Sequence, residues 1–451
     1  MNFNPLPIFL AAVGTYLLIK LRFFYILHPI RTLRRGLRAI KGKQARRSFS
    51  LALAGTLGVG NVFGVAIGII IGGAGSLFWL FVSMLFAMVI KYSEVVLASD
   101  NLHHDTDTHG GMAYVLASTG RRFGRPLSIL YSACVLVISL VMGGALQSDA
   151  IVKSAEASVR TSPHLIAFIL VILALISIIG GAARIERITA IIIPLTTIIY
   201  IIITSSIIFV NASEFGRVIF DVLNSAFSAQ SAVGGILGFL ISVPLREGFA
   251  RGILSNEAGA GTSAMAHSRS GLLSPCSAGI LGIFEVWFDT GLICMLTGFS
   301  ILLSVPDPTA FADGMQLVAY SVGNLFGTGG KYLLLLSVFA FAFATIICWY
   351  YYGSEAWSTL FGKRKRAAFL PLFLFSVYLG CFADTTLLIT LTDLLMLLAG
   401  MLTLFAIVKS SDRIRELSEL GGVINSETGR LRRLRVRGIK EILSRKERRR
   451  R

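Results

Sequence analysis

Gly55-Thr-Leu-Gly-Val-Gly-Asn-Val-Phe-Gly64 and Arg251-Gly-Ile-Leu-Ser-Asn-Glu-Ala-Gly-Ala-Gly-Thr-Ser263 are the stretches on which the reading of this chain turns. Each interrupts a long apolar run with closely spaced glycines and an amide side chain, Asn61 in the first and Asn256 in the second. Glycine inside an ordinary helix costs about 1 kcal/mol relative to alanine. Backbone without helical hydrogen bonds is tolerated at membrane depth only where it is buried in protein or lines a wet cavity. Glycines in membrane helices also serve close packing, so one such cluster alone reads either way. Two of them, each with an amide, favour unwound backbone facing a ligand. Half-helix N-termini would receive a carboxylate and freed carbonyls a cation.

Around these stretches the composition is that of a membrane protein. Of 451 residues, 55% are hydrophobic and only 15% charged, with a mean hydropathy of +0.75. That is too little charge to cover a soluble surface. Apolar runs of about 20 residues recur, each long enough to cross a hydrocarbon core of about 30 Å. Eleven candidate spans lie near 5–27, 49–71, 77–98, 127–151, 165–181, 187–210, 233–269, 277–304, 333–360, 367–383 and 387–409. The seventh is too long for one straight crossing and is expected to be broken. The stretch Met315–Phe326 reads as a loop helix outside the bilayer core. The N-terminal segment lacks the marks of a cleaved signal, so the first apolar run is expected to stay as a helix. Five scattered cysteines show neither disulfide nor zinc-ligand spacing and read as small apolar filler.

The net charge of +18 is concentrated in Arg31–Arg47, Lys363–Arg366 and the tail from Arg430. This placement points to topology and to attraction for anionic lipid headgroups rather than to nucleic acid. Alternate loops carry Arg121, Arg122 and Arg125, then Arg184 and Arg187, then Arg269, whereas the opposite loops hold few cations and several acids. The asymmetry orients the N-terminus outside and the C-terminus in the cytoplasm of a cell-membrane protein. Spans two to six and seven to eleven then form two sets of five. Five is odd, so the second set starts from the opposite side, the arithmetic of an inverted repeat. The expected organisation is an extra N-terminal helix (1–30), a basic cytoplasmic loop (31–48), a first five-helix repeat (49–210), an extracellular loop (211–232), a second repeat (233–409) and a basic cytoplasmic tail (410–451). Within that tail Leu431, Leu434, Val436 and Ile439 suggest a short amphipathic surface helix.

Further motifs lie in order along the chain: Gly58-Val-Gly-Asn61 with Gly64-Val-Ala66, Gly72-Gly73-Ala74-Gly75 with Phe78-Trp79, and Lys91-Tyr-Ser-Glu-Val-Val-Leu97. Gly110-Gly111 with Tyr114, Ala250-Arg-Gly-Ile-Leu-Ser-Asn-Glu-Ala-Gly-Ala-Gly261 ending in Ala266-His267, and Phe341-Ala-Phe with Thr345, Trp349 and Tyr351-Tyr352-Gly353 follow. At these residues the sequence resembles the alanine/glycine:cation symporter family over nearly its whole length. The resemblance implies an all-α, leucine-transporter-like fold of five plus five helices with one extra N-terminal helix, and sodium- or proton-coupled uptake of a small neutral amino acid. By motif match, Gly58, Gly60 and Asn61 would meet the substrate carboxylate, and Gln147 would add a polar contact. Ser255, Asn256 and Gly259 would line the second break, with Thr345 and Trp349 closing a pocket too small for large side chains. Thr56, Thr345 and Glu247 are the candidates for cation or proton coupling. Val59 and Ala344 stand where family members carry threonines, and Phe63 replaces a small residue. These departures leave sodium and proton both open as the coupling ion, and a non-transporting sensor open as an alternative.

Ionisable groups at membrane depth are functional suspects. Glu247 precedes the second break, either as a proton carrier or in an ion pair with Arg246 or Arg251. Lys91 and Glu94 read as a local pair, Glu285 and Asp289 as structural, and His267 as a packing or gate position. No nucleophile–base set, phosphate-binding loop or metal motif is present, which argues against an enzyme and against a metal or organic cofactor. Nothing resembles a repeated selectivity filter, which argues against a channel.

Overall fold

The structure, a computed structural model, describes residues 5–101, 111–120, 122–156, 161–227, 242–272 and 274–424. The opening of the seventh apolar run (233–241) and the basic tail from Arg430 lie outside the described residues. Those described form helices and connecting turns, with no strand among them. In chain order the helices are α1 (Leu6–Lys20), α2 (Pro29–Ala39), α3 (Lys43–Thr56), α4 (Phe63–Gly72), α5 (Gly75–Asp100) and α6 (Met112–Ser118). Then come α7 (Gly124–Glu156), α8 (Pro163–Ile178), α9 (Gly181–Val210), α10 (Phe215–Ala226), α11 (Val243–Asn256) and α12 (Ser263–His267). The last are α13 (Pro275–Ser304), α14 (Gly314–Phe361), α15 (Phe369–Gly380), α16 (Thr385–Lys409) and α17 (Ser411–Leu420).

Six of these, α5, α7, α9, α13, α14 and α16, are long and apolar enough to cross a membrane. The pair α3 and α4 passes the same test as one unit bent by 63°. Each apolar run picked out by sequence overlaps, where it is described, a helix or a pair of helices; the first run breaks at Arg22 and Phe23 (φ +57° and +49°) before a short turn of helix, Phe24–Leu27, and the second and seventh break at their glycine-rich stretches. Outward-facing side chains on α9 are aliphatic or aromatic (Ile191, Ile198, Ile202, Phe209), as a lipid-facing helix requires. The Met315–Phe326 helix is joined to the ninth run within α14, across a break at Gly327, whose φ of +58° and ψ of −144° are non-helical.

The centre of the bundle is α5. It packs along α11 and α13, and its Lys91, Tyr92 and Glu94 are fully buried. Two helices widen into π-helical turns, α7 over Ser139–Leu146 and α13 over Trp287–Cys294. Such turns are rare and concentrate at functional sites, because the extra residue turns following side chains to a new direction. Gln147 directly follows the first and Asp289 lies inside the second. All five cysteines are buried and free, in keeping with a packing role.

Candidate functional site

Helix α3 ends at Thr56, and the chain runs through Leu57 and Gly58 into a single 3-10 turn, Val59–Asn61, before α4 begins at Phe63. Gly58 is needed there for close approach. A Cβ on it would stand 2.9 Å from both Gln147 Oε1 and Thr345 Oγ1. Gln147 reaches the break because α7 runs to Glu156, nine residues beyond it, so the glutamine is not at the outer end of its helix. Its Oε1 accepts the Val59 backbone N–H at 3.2 Å. Trp349 donates its indole N–H to the carbonyl of Gly55 at 3.3 Å, satisfying one of the last-turn carbonyls that a helix end leaves without a partner.

The second break begins after Asn256. Glu257 takes up a left-handed conformation (φ +53°), uncommon for a residue with a Cβ, and Gly261 (φ +73°) leads on towards α12. Asn256 Oδ1 accepts the N–H of Ala258 at 3.0 Å, and Thr262 Oγ1 donates to Glu257 at 2.8 Å. The positive ends of α4 and α12 and the negative ends of α3 and α11 meet at the two breaks.

One carboxylate joins them. Asp289 Oδ1 accepts from Asn61 Nδ2 in the first break at 2.5 Å, and its Oδ2 accepts from Ser255 Oγ at the end of α11 at 2.8 Å. Thr290 Oγ1 donates to the same Oδ2 at 2.9 Å and accepts from Asn256 Nδ2 at 3.3 Å. Cys294 Sγ lies 3.1 Å from Ser255 Oγ and 3.4 Å from Asn61 Nδ2. Asp289 is fully buried, and among the described residues no lysine, arginine or histidine forms an ion pair with it. Beside it Asn61 Oδ1 is buried with no hydrogen-bond partner, and so is Glu257 Oε1. A buried carboxylate met only by neutral donors is costly unless a cation or proton joins it. The acceptors gathered here, carboxylate, amide and hydroxyl oxygens, suit a hard cation.

A cavity of about 30 Å³ lies between the breaks, lined by Thr56, Gly58, Gly60, Phe63, Gln147 and Glu257 among others. It is of the order of one water molecule and smaller than any amino acid, so the breaks are closed on each other in this conformation. A wider cleft of about 800 Å³ lies between the end of α7 and the 311–331 stretch, with Lys153, Glu156, Asp313 and Lys331 on its walls.

Of the residues singled out in the sequence, the structure brings Thr56, Gly58, Gly60 and Gln147 to the cavity, with Thr345 against Gly58. Asn61, Ser255 and Asn256 meet around Asp289 and Thr290. Gly259 turns the other way: its N–H donates to Glu94 Oε1 at 2.7 Å, and its Cα faces Leu10 of α1. Glu247 is held between Arg246 (3.4 Å) and Arg251 (3.2 Å), the ion-pair alternative, and does not line the cavity. The Lys91–Glu94 pair does not form. Lys91 instead donates to Ser263 at 2.8 Å and lies 3.7 Å from Glu285, which also bonds Ser263 (2.8 Å) and His267 (2.6 Å). The physical reason is that α12 offers Lys91 both a hydroxyl and, through Glu285, a carboxylate, while Glu94 is taken by the unwound backbone. Asp289, Thr290 and Glu257 are the site residues that sequence reasoning did not assign. The signal for Asp289 was its charge inside an apolar span.

The many-helix bundle, with two interrupted helices joined over a central polar site, and the match to a transporter family define a multi-pass membrane transporter rather than an enzyme. The sequence pattern of the sodium:alanine symporter family matches residues 2–418, and the chain belongs to that family. It is 30% identical over 412 residues to an uncharacterised transporter of Haemophilus influenzae, covering 90% of each chain. It is 28% identical over 353 residues to the sodium/alanine symporter AgcS of Methanococcus maripaludis, covering 76% of each. The amino-acid carrier protein AlsT of Bacillus subtilis is 28% identical over 349 residues, covering 76% of this chain and 73% of that protein. Among solved structures it is similar to a manganese transporter of Eremococcus coleocola, with a TM-score of 0.48 and 13% identity over 89% of this chain and 92% of that one.

Proposed function

We propose that this protein is a secondary active symporter that imports a small neutral amino acid, alanine or glycine, coupled to sodium, by alternating access at the paired breaks. The observation that carries the reading is Asp289, a buried carboxylate holding one donor from each break and, among the described residues, paired with no protein cation. Sodium joining Asp289 would take over its negative charge and release Asn61 Nδ2 for the substrate carboxylate. Each ligand then raises the affinity for the other, which is the linkage a symporter needs. Substrate carboxylate would lie against Gly58, Gly60 and Asn61 at the positive end of α4, within reach of Gln147 and Thr345. Ser255 and Asn256 belong to the cation side. Once the breaks part, Phe63 in the cavity wall and Trp349 behind Gly55 would favour a small side chain on the substrate.

In this reading the two breaks each open one half of an inverted repeat of five plus five spans, with α1 as an extra, eleventh crossing. The N-terminus lies outside and the C-terminus in the cytoplasm of a cell membrane. The broken helices recur five apolar runs apart, which supports the repeat, and the loop arginines support the orientation. Thr56 and Thr345 flank the first break as further coupling candidates, whereas the ion-paired state of Glu247 favours a structural part for it.

Uptake of radiolabelled alanine and glycine into proteoliposomes tests the proposal. An inward sodium gradient is expected to drive accumulation that collapses when sodium is equal on both sides. Accumulation driven by a proton gradient alone would replace sodium by the proton, and saturable binding without flux under any gradient would identify a sensor.

A further inference from the structure

On the side assigned to the cytoplasm by its arginines, α2 has two adjoining stripes. At 100° per residue Ile30, Leu33 and Leu37 fall within one sector of about 60°, and Arg34, Arg38, Arg31 and Arg35 follow beside it over about 100°. Among the described residues nothing covers the apolar stripe: Ile30 is 65% and Leu37 52% exposed. Arg31, Arg34 and Arg38 are exposed and make no ion pair among the described residues. A cleft of about 650 Å³ runs along these arginines from Leu27 to Arg38. The helix is nonetheless held firmly on its remaining face. Gly36 sits against the ring of Phe284 in α13 at a distance that leaves no slack for a Cβ (3.3 Å), and Arg35 donates to the carbonyl of Gly422 at 2.9 Å.

We propose that Arg31, Arg34 and Arg38 form a binding site for the headgroup of an anionic phospholipid of the inner leaflet, with Ile30, Leu33 and Leu37 lying along its acyl chains. An uncovered apolar stripe beside a row of unpaired arginines is the pattern of a helix lying in the interface, apolar residues at the acyl boundary and cations at phosphate level. Guanidinium groups suit phosphodiester oxygens because their planar N–H fork matches two oxygens at once. Fixed on the bundle by Gly36 and Arg35, the three arginines present a constant spacing to the lipid.

The site connects to the breaks by two routes. Helix α2 leads through Gly42 into α3, whose last residue, Thr56, opens the first break. Phe284, under Gly36, stacks on Phe49 of α3 (5.4 Å) and on Trp287 (5.8 Å), inside the π-turn that carries Asp289. Headgroup occupancy thus restrains the inner half of the first broken helix and the π-turn together, and sets the transport rate. This last step rests on the transporter reading, whereas the lipid site itself does not.

Two measurements separate the two. Trp287, 40% exposed beside Phe284, is a local reporter. In vesicles of phosphatidylcholine doped with brominated phosphatidylglycerol, Trp287 fluorescence, taken as the difference from Trp287→Phe, is expected to be quenched more than by brominated phosphatidylcholine at the same mole fraction. The triple variant R31Q/R34Q/R38Q is expected to abolish that preference, lowering the apparent affinity by about tenfold or more. Removing three charges from the tail, R448Q/R449Q/R450Q, is expected to leave it unchanged. Equal quenching by both lipids, or an unchanged preference in the α2 variant, overturns the site whatever the protein transports. Alanine uptake at rising phosphatidylglycerol content then tests the coupling. Wild type is expected to respond and the α2 variant not, and a wild-type rate independent of lipid charge overturns the regulatory step.

Discussion

Replacing Gly58 by alanine isolates one contact of the first break. Its φ of −109° is in the negative range open to residues with a side chain, so what a side chain adds at this position is crowding. The new Cβ would lie 2.9 Å from Gln147 Oε1 and 2.9 Å from Thr345 Oγ1, with Gln147 Nε2 at 3.3 Å. Carbon contacts settle near 3.5–4.0 Å, so both neighbours are too close by about half an ångström, and relief needs one to withdraw while the new side chain shifts towards it. Thr345 cannot readily do so, since its hydroxyl is bonded at 3.0 Å to Phe341 O within its own helix. Gln147 therefore moves, and its 3.2 Å bond from Val59 N–H is broken. A buried amide left without an acceptor costs about 1–3 kcal/mol. Taking about 2 kcal/mol for the site, alanine affinity is expected to fall about thirtyfold. Equilibrium binding of radiolabelled alanine to purified protein measures this, with Gly216→Ala as the control, because nothing lies within 4 Å of a Cβ there. Affinity within twofold of wild type would refute the placement of Gln147 and Thr345 against the break.

Two further outcomes follow from the same geometry. Asp289→Asn keeps the shape but removes the charge shared by Asn61 and Ser255. Uptake is expected to fall at least tenfold, and alanine binding, measured with and without sodium, to lose its sodium dependence. If sodium still raises alanine affinity, the coupling site lies elsewhere. Gly143→Ala places a Cβ 2.2 Å from the Cβ of Trp349. Overpacking of this kind costs about 1–3 kcal/mol, and a thermal shift in detergent of about 2–10 °C downward is expected.

The helices were legible in the sequence because membrane crossing needs length and apolarity, and both are local properties. The breaks were legible for a related reason, since glycine and amide clusters inside apolar runs have few other uses. What remained hidden depends on tertiary direction. The apolar run near 127–151 ends only about four residues past Gln147, and neither the extension of α7 to Glu156 nor the π-turn before it has a simple sequence mark. Lys91 and Glu94 are three residues apart on one helix, yet each found a better partner on another element. Gly259 matched a family motif by position, but the left-handed backbone at Glu257 and Gly259 turns it away from the cavity. Asp289 carried a signal in its charge, but only the fold places it between Asn61 and Ser255.

Cys294 gives the protein its own gauge of opening. Its thiol touches Ser255 and Asn61 at the meeting point of the breaks, and the other four cysteines are also buried. Any motion that parts the two interrupted helices must bare this sulfur. The rate at which a small membrane-permeant alkylating reagent labels Cys294, located by peptide mass mapping, therefore counts how often the unaltered protein opens. Sodium and alanine together would be read out as protection, with no engineered label anywhere in the chain.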